Sequence, residues 1–469
     1  MKKITFLFLL TGFWVFGQDF VDVTGSLPQL TFGFSAFGDY DGDGDLDLYY
    51  TGQLNANSNG GGLYHNDSGT FSLVTNSGLP ILNTGAADWG DVDNDGDMDL
   101  VIMGYDNNAG VTDVYVNNGN GTFTASNAGL HNSYMGDVVF GDYDNDGDLD
   151  IALTGMETTN WTFFSKVYEN DGNGNFSESN LNLPPMNYGK IKFVDFDNDG
   201  DIDITLGGWN DTTNTPYTKV WQNDGSQNFT ELNLGFPQLW LGDFEWGDVD
   251  GDGDLDFVIT GTPNQDSEAH LMLNNNNTFT DDPHFNIAGA HRVASIELAD
   301  FDVNGSLDVF ITGVNVAGSN ENLIAKLYEN NGSGLFVENT NESFAAVQYC
   351  DADAADYDND GETDLFITGG DANFFGVGKL YHNEHPNSID REFSNKFTIY
   401  PNPAHDILNI SNQAQFNYNV QITDLTGKSI LNQSAEANIG IDVSNLPIGM
   451  YLVKISDSKH SFVQKLIIK

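Results

Sequence analysis

The sequence predicts an all-β chain: a seven-bladed β-propeller followed by a small Ig-like β-sandwich. Three observations predict it. One acidic loop recurs seven times at nearly constant spacing, each copy lies among short apolar runs of strand length, and the strong negative charge stops near residue 396.

In chain order, residues 1–17 begin with Lys2 and Lys3, continue as an apolar run from Ile4 to Phe16 and end on the small Gly17. This is the pattern of a cleaved signal peptide. The run is 13 residues long, short of the roughly 20 needed to span a bilayer. No later stretch comes close, so the mature chain is expected to be exported and soluble, with no transmembrane segment. The lone Cys350 excludes an intramolecular disulfide, which leaves packing and bound metal to stabilise the chain outside the cell. No Cys near the cleavage point offers a lipid anchor. An excess of 69 Asp plus Glu over 16 Lys plus Arg, a formal charge of -53, repels nucleic acid and anionic membrane surfaces. With 33 Phe, 18 Tyr and 7 Trp the chain is too aromatic for a disordered polyanion, so the charge has a use, and counter-ions are the candidate.

The propeller is expected over residues 18–385. Its repeats are GDYDGDGDLDLYYTG from Gly38, GDVDNDGDMDLVIMG from Gly90, GDYDNDGDLDIALTG from Gly141, VDFDNDGDIDITLGG from Val194, GDVDGDGDLDFVITG from Gly247, ADFDVNGSLDVFITG from Ala299 and ADYDNDGETDLFITG from Ala355. Their leading Asp residues are separated by 52, 51, 53, 53, 52 and 56 positions. A period of this size marks a repeat architecture. Each unit carries an apolar run on either side of the loop, then an aromatic-rich run about fifteen residues on, such as KVYEND at Lys166, and a fourth run that begins with Phe. Only six units have the fourth run: Phe71, Phe123, Phe176, Phe229, Phe279 and Phe336. The missing copy is at the N-terminus, where DFVDVTGSLPQL from Asp19 matches FSLVTNSGLP from Phe71. A strand displaced to the opposite terminus closes the ring and removes the exposed sheet edge, so Phe20–Thr24 is predicted to complete the seventh blade.

In the pattern D-x-D-x-D-G-x-x-D, positions one, three, five and nine place carboxylates on a tightly curved backbone, Gly at six permits the turn and the seventh residue offers its carbonyl. Hard oxygen donors in this number suit calcium better than magnesium, which keeps its waters. Up to seven Ca2+ are therefore expected. The candidate ligands are Asp39, Asp41, Asp43, Asp45 and Asp47 in loop 1; Asp91, Asp93, Asp95, Asp97 and Asp99 in loop 2; Asp142, Asp144, Asp146, Asp148 and Asp150 in loop 3. Loop 4 offers Asp195, Asp197, Asp199, Asp201 and Asp203, and loop 5 offers Asp248, Asp250, Asp252, Asp254 and Asp256. Loop 6 offers Asp300, Asp302, Asn304, Ser306 and Asp308, and loop 7 offers Asp356, Asp358, Asp360, Glu362 and Asp364. Loop 6, with the fewest carboxylates, is expected to bind most weakly. An EF-hand would run twelve residues to a Glu between helices, whereas here β-type runs flank a nine-residue loop.

If the loop joins the first and second strands, the longer and more varied connections lie on the opposite face. They bring aromatic residues, among them Trp161, Phe164, Trp209, Tyr217, Trp240 and Phe374, that could stack on sugar rings or form protein hot spots; packing between blades is the plainer role for each. Catalytic signals are thin. His65 and His382 occupy equivalent third-strand positions and read as ordinary surface residues, His284 and His291 lack any metalloenzyme spacing, and Cys350 has no paired His. Asp88, Glu245, Glu297 and Asp353 recur three residues before their loops and are expected to line and solvate the central channel, where paired carboxylates could in principle do acid-base work on a glycan.

The loops resemble the FG-GAP or VCBS-type repeats of integrin α-subunit propellers and of many secreted bacterial propellers, over about residues 19–385. The resemblance implies a calcium-binding propeller with a ligand face opposite the loops, and leaves activity open, since relatives include lectins and sugar-active enzymes. After a polar linker, 386–396, the last 73 residues hold five acidic and five Lys residues and alternate with period two in ILNIS, NVQITD and MYLVKIS, which predicts the sandwich over 397–469. Its blocks YPNP at Tyr400, DLTGK at Asp424, LPIGMYLVKI at Leu446 and the terminal KLIIK closely resemble the type A sorting domain of the type IX secretion system. By resemblance, that machinery is a partner and the protein is secreted or displayed on the outer surface of a Gram-negative bacterium. The leading functional expectation is a binding or adhesion module for an extracellular glycan or protein; a polysaccharide lyase or hydrolase is the alternative, and a structural component of a surface layer a third.

Overall fold

The computed structural model describes residues 19–332, 334–384, 396–401, 403–405, 407–412, 417–424, 428–444, 446–447, 449–456 and 461–469. The expected signal peptide and nearly all of the expected linker lie outside the described residues. Residues Phe20–Asn383 make one compact unit, and the region from Glu384 belongs to another.

The first unit is a propeller of seven four-stranded antiparallel sheets. Each blade starts with an inner strand that ends where an acidic loop begins: Thr31–Gly38, Asn83–Gly90, Tyr134–Gly141, Met186–Val194, Trp240–Gly247, His291–Ala299 and Gln348–Ala355. Each inner strand packs against those of its two neighbours, and the seventh meets the first. The second strand opens on the ninth residue of the loop, as in Asp47–Asn55 and Asp150–Glu157, and is buried almost throughout. Blades on both sides cover it, which is why its sequence is a continuous apolar run rather than an alternation.

Between every pair of neighbouring blades lies one apolar cluster, seven in all. Each contains the second residue of one loop: Tyr40, Val92, Tyr143, Phe196, Val249, Phe301 or Tyr357. A fully buried aromatic or aliphatic side chain is worth about 1.5–3 kcal/mol, so the x in D-x-D plugs the loop into the core. Asp19–Asp22 pairs with Gly376–Glu384 as the outer strand of the seventh blade, and Phe20 stacks edge-on against Phe301 and Phe344 at 6.0 and 5.0 Å. The displaced strand read from the sequence is thus the one that closes the ring.

Away from the loops, every inner strand begins with a bulge. Phe32, Thr84, Met135, Tyr188, Leu241, Val293 and Tyr349 all have positive φ there, and the register with the second strand slips. In the first five blades a glycine follows; a Cβ on Gly85 would stand 1.9 Å from the Met103 carbonyl oxygen. Bulges of this kind turn side chains out of the sheet, here toward the central channel.

The second unit is a small β-sandwich. Phe397–Tyr400, Ile407–Asn412 and Ile439–Asp442 form one sheet, and Ser429–Ala435, Tyr418–Asp424, Gly449–Ser456 and Ser461–Ile468 the other. Alternate residues such as Leu408, Ile410, Val420, Ile422, Val453 and Ile455 make its core.

Candidate functional site

All seven loops share one hydrogen-bond plan. The first Asp accepts at Oδ1 from the amide of residue five and at Oδ2 from the amide of the Gly at six (Asn304 and Gly305 in loop 6), at 2.8–3.1 Å. That Gly has φ between 91° and 97° in every copy, where a Cβ would be strained. The ninth Asp is buried, at most 1% exposed. Its Oδ2 accepts from the amide of the second loop residue at 2.9–3.3 Å. Its Oδ1 accepts from the amide of an Asn at the end of the third strand at 2.7–2.9 Å.

The carboxylates of a loop converge. One oxygen each of Asp39, Asp41 and Asp43 lie within 4.8 Å of one another, as do those of Asp91, Asp93 and Asp99 and of Asp142, Asp144 and Asp146. Burial pushes the carboxyls of Asp47, Asp99 and Asp256 up to about 6 and those of Asp150, Asp203 and Asp308 up to about 7, and it raises Asp364. Burial, then the neighbouring fifth-position charge, raises Asp41, Asp93, Asp144, Asp197 and Asp250 as well. Oδ1 of Asp93 and Oδ1 of Asp197 are shut from solvent and meet no hydrogen-bond donor. Converging carboxylate oxygens, two of them buried without any donor, are the donor set of a hard divalent cation, so the residues fit one.

Two parts of the arrangement bind blades to each other. The seventh side chain turns to the adjacent loop: Asp148 accepts from Asn94 Nδ2 at 2.8 Å, Asp201 from Asn145 at 3.0 Å and Asp45 from Asn359 at 3.1 Å. The third-strand Asn does more. Asn66, Asn117, Asn170, Asn223, Asn330 and Asn383 each donate from Nδ2 to the carbonyl of the second loop residue in the preceding blade, at 2.7–2.9 Å, and to the eighth residue of their own loop. Sequence reasoning missed this role. The Asn recurs in all seven repeats, but ahead of a turn, where Asn is common for local reasons.

The structure also corrects the reading of His65 and His382 as surface residues. His65 Nδ1 lies 3.3 Å from both Asp41 Oδ2 and Asp47 Oδ1. His382 Nδ1 lies 3.1 Å from Asp364 Oδ1 and 3.4 Å from Asp358 Oδ2. The Asp364 hydrogen bond outweighs burial and raises the His382 imidazole to about 9. In loop 6, Asn304 gives its Nδ2 to the Asn330 carbonyl.

At the far end of the inner strands the channel opens as a cavity of about 420 Å³ lined by Phe32, Tyr188, Tyr349, Lys190, Lys192 and Cys350 and by all four carboxylates predicted there, Asp88, Glu245, Glu297 and Asp353. Lys192 pairs with Glu245, and Lys190 Nζ lies 3.6 Å from Asp243 Oδ1. Glu297 and Asp353 have no cation within 4 Å among the described residues, and Asp353 Oδ2 is buried without a hydrogen-bond partner. Burial, then Glu245 and Asp353, raises Glu297 well above the usual carboxylate range. Burial raises the Cys350 thiol too, which removes it as a nucleophile. His291 is buried against Ser267 and the Val314 carbonyl, and His284 is exposed.

The six aromatic residues predicted for this face divide. Trp161 and Phe374 are 71% and 54% exposed. The rings of Trp209 and Trp240 meet at 4.8 Å. Phe374 joins the channel mouth through Tyr349 at 6.3 Å, and Tyr349 meets Phe32 at 5.2 Å. Phe164 is half-buried against His131, and Tyr217 belongs to the core between blades, where its hydroxyl accepts from Trp221 Nε1. Tyr217 is thereby removed from the exposed set: its strand is covered on both faces at this point, with Tyr217 and Thr218 both buried.

Residues 39–102, 91–153, 195–259 and 248–311 match the FG-GAP-like repeat, and residues 398–469 match the secretion system C-terminal sorting domain. The chain is thus a propeller of FG-GAP-like repeats with a type IX sorting tail, which marks it for export to the outer surface or the medium. No curated protein matches the sequence. Among solved structures, the V. cholerae biofilm matrix protein Bap1 is 14% identical with a TM-score of 0.33, over 70% of this chain and 65% of that one. The chain therefore spans about two thirds of the length of Bap1. A fructofuranosidase from Schwanniomyces occidentalis (10% identical, TM-score 0.27, 96% and 93% covered) and a sucrose-6-phosphate hydrolase from Lactobacillus gasseri (10%, 0.28, 82% and 86%) are similarly distant. Overlaps this loose carry no information on activity.

Proposed function

We propose that the protein is an extracellular binding or adhesion module in which up to seven Ca2+ ions brace the ring from the loop face, while a glycan or protein ligand is taken at the opposite mouth of the channel. The support for calcium is the convergence of carboxylate oxygens in the loops, several of them raised by burial and two, on Asp93 and Asp197, without a donor. Positions one, three, five and nine would supply carboxylate oxygens and position seven its carbonyl. The ion supplies positive charge there and no chemistry.

The observation that carries the ligand reading is the channel mouth. It combines aromatic faces at Phe32, Tyr349 and Phe374 with carboxylates and two ammonium groups a few residues deeper, the mixture that recognises a sugar ring and its hydroxyls. The test is a glycan array and protein pull-down with the full chain, with and without chelator, and with Tyr349→Ala. Capture that persists in calcium and falls at least tenfold in the variant supports the reading; capture indifferent to Tyr349 refutes it.

A second reading, a polysaccharide lyase or hydrolase, is favoured by one observation: Glu297 shares the cavity with Asp353 and Glu245, and burial together with their charges raises its carboxyl well above the usual range, the setting in which acid and base forms would coexist. New reducing ends or unsaturated sugars that vanish in Glu297→Gln would establish it, and their absence across a polysaccharide panel would dismiss it.

A further inference from the structure

Loops 1 and 7 differ from the other five in one donor type. On the third strand, the residue before the stitching Asn is His in these two blades alone. Where the position is Gln222, its amide reaches Asp197 Oδ2 at 2.7 Å, so a polar side chain there does enter the loop.

The geometry at His65 is that of shared ligation rather than of a hydrogen bond. Nδ1 is shut off from solvent and meets no partner in hydrogen-bond geometry, although carboxylate oxygens of Asp41 and Asp47 both lie 3.3 Å away. His382 Nδ1 is hydrogen-bonded to Asp364 Oδ1 at 3.1 Å and lies 3.4 Å from Asp358 Oδ2. Two donors bonded at about 2.1 Å to one ion, with angles between 90° and 109°, lie about 3.0–3.4 Å apart, and all four separations fall in that interval. In each blade the imidazole meets the Tyr in the second loop position edge-on, Tyr40 at 6.3 Å and Tyr357 at 6.2 Å. The ring is thereby oriented toward the carboxylates.

Calcium takes oxygen donors, whereas imidazole nitrogen suits borderline transition cations. We infer that the first and seventh loops are mixed nitrogen and oxygen sites that select a zinc-class divalent cation, with His65 and His382 as ligands, and that the ring carries two kinds of metal. The two sites are neighbours, because the seventh blade packs on the first. The inference rests on the loops' being metal sites at all.

The test uses the full chain, stripped with chelator and dialysed against equal micromolar calcium and zinc, with elements counted per chain by plasma mass spectrometry and the fold checked by circular dichroism. Two zinc ions per chain and a remainder of calcium are expected. His65→Gln and His382→Gln should each lose one zinc without losing the fold, and the double variant both. Calcium without zinc, zinc in more than two sites, or zinc undiminished in the double variant overturns the inference and leaves the calcium reading standing. Failure to hold either metal refutes that underlying reading instead.

Discussion

At one end of their inner strands the seven repeats are nearly the same, and at the other they differ. The loop end has 27 Asp and one Asn in its 28 side-chain positions one, three, five and nine, with the same amide pattern in every blade. Five residues before each loop, at the channel end, stand Phe34, Ala86, Asp137, Lys190, Asp243, Ser295 and Asp351. Several of these still serve the ring: Asp351 accepts from the Ser35 amide, Asp137 from Ile191 and Asp243 from Ile296, each in another blade. Under the proposed function the sevenfold feature braces the ring, and the end where symmetry breaks is the one that could distinguish one ligand from another.

Metal removal should separate the two ends of the ring most strongly. A site filled at a hundred times its dissociation constant contributes about 2.7 kcal/mol, so stripping the loops should lower the melting temperature of the propeller by roughly 10 °C or more, while emptying the channel of ligand should shift it little. Scanning calorimetry with and without chelator reads this directly; coincident curves would make the loops ornamental.

Next in size is the stitch between blades. Asn170→Ala strands the Val92 and Leu149 carbonyls and the Gly172 and Gly174 amides, a loss of about 3 kcal/mol in denaturant unfolding. A value below about 1 kcal/mol would mean that the clusters of apolar residues alone hold the blades. Asp146→Ala should follow, lowering metal stoichiometry by about one and destabilising its blade by about 1–2 kcal/mol; unchanged stoichiometry by native mass spectrometry would remove the ligand assignment.

The pH response sharpens the contrast further. A carboxyl whose folded pKa is about 6 or 7, against about 3.9 unfolded, binds its proton more tightly in the folded state. Stability is then gained as pH falls through 7 to 5 and lost above that window. Chelated protein should melt higher at pH 5.5 than at pH 8, and metal-loaded protein lower, because protons displace the ion. Parallel slopes would contradict the account. The smallest effect is expected at Trp161, 71% exposed: Trp161→Ala should change stability by less than about 0.5 kcal/mol, so any loss of capture in that variant reports the surface and not the scaffold.

Much of this was legible from local pattern. The loop spacing, the strand-length runs and the displaced Phe20 strand are set by nearest neighbours in sequence, and each predicts its element correctly. What was hidden depends on the ring. The Asn at 66, 117, 170, 223, 330 and 383 reads as a turn residue because its partner carbonyl lies in another blade, about eighty positions earlier or, for Asn66, across the closure at Tyr357. His65 and His382 read as exposed because strand alternation alone does not say which side faces a loop. Tyr217 and Trp161 lie close in type and setting, and only packing sends one inward and leaves the other in solvent.

The most direct test of the central claim is a count of divalent ions per chain by plasma mass spectrometry on protein dialysed against calcium-containing buffer. A number approaching seven is expected, with loop 6 the first to empty as free calcium is lowered and the melting temperature falling in step with the count. One ion or none, with an unchanged melting temperature, would contradict it.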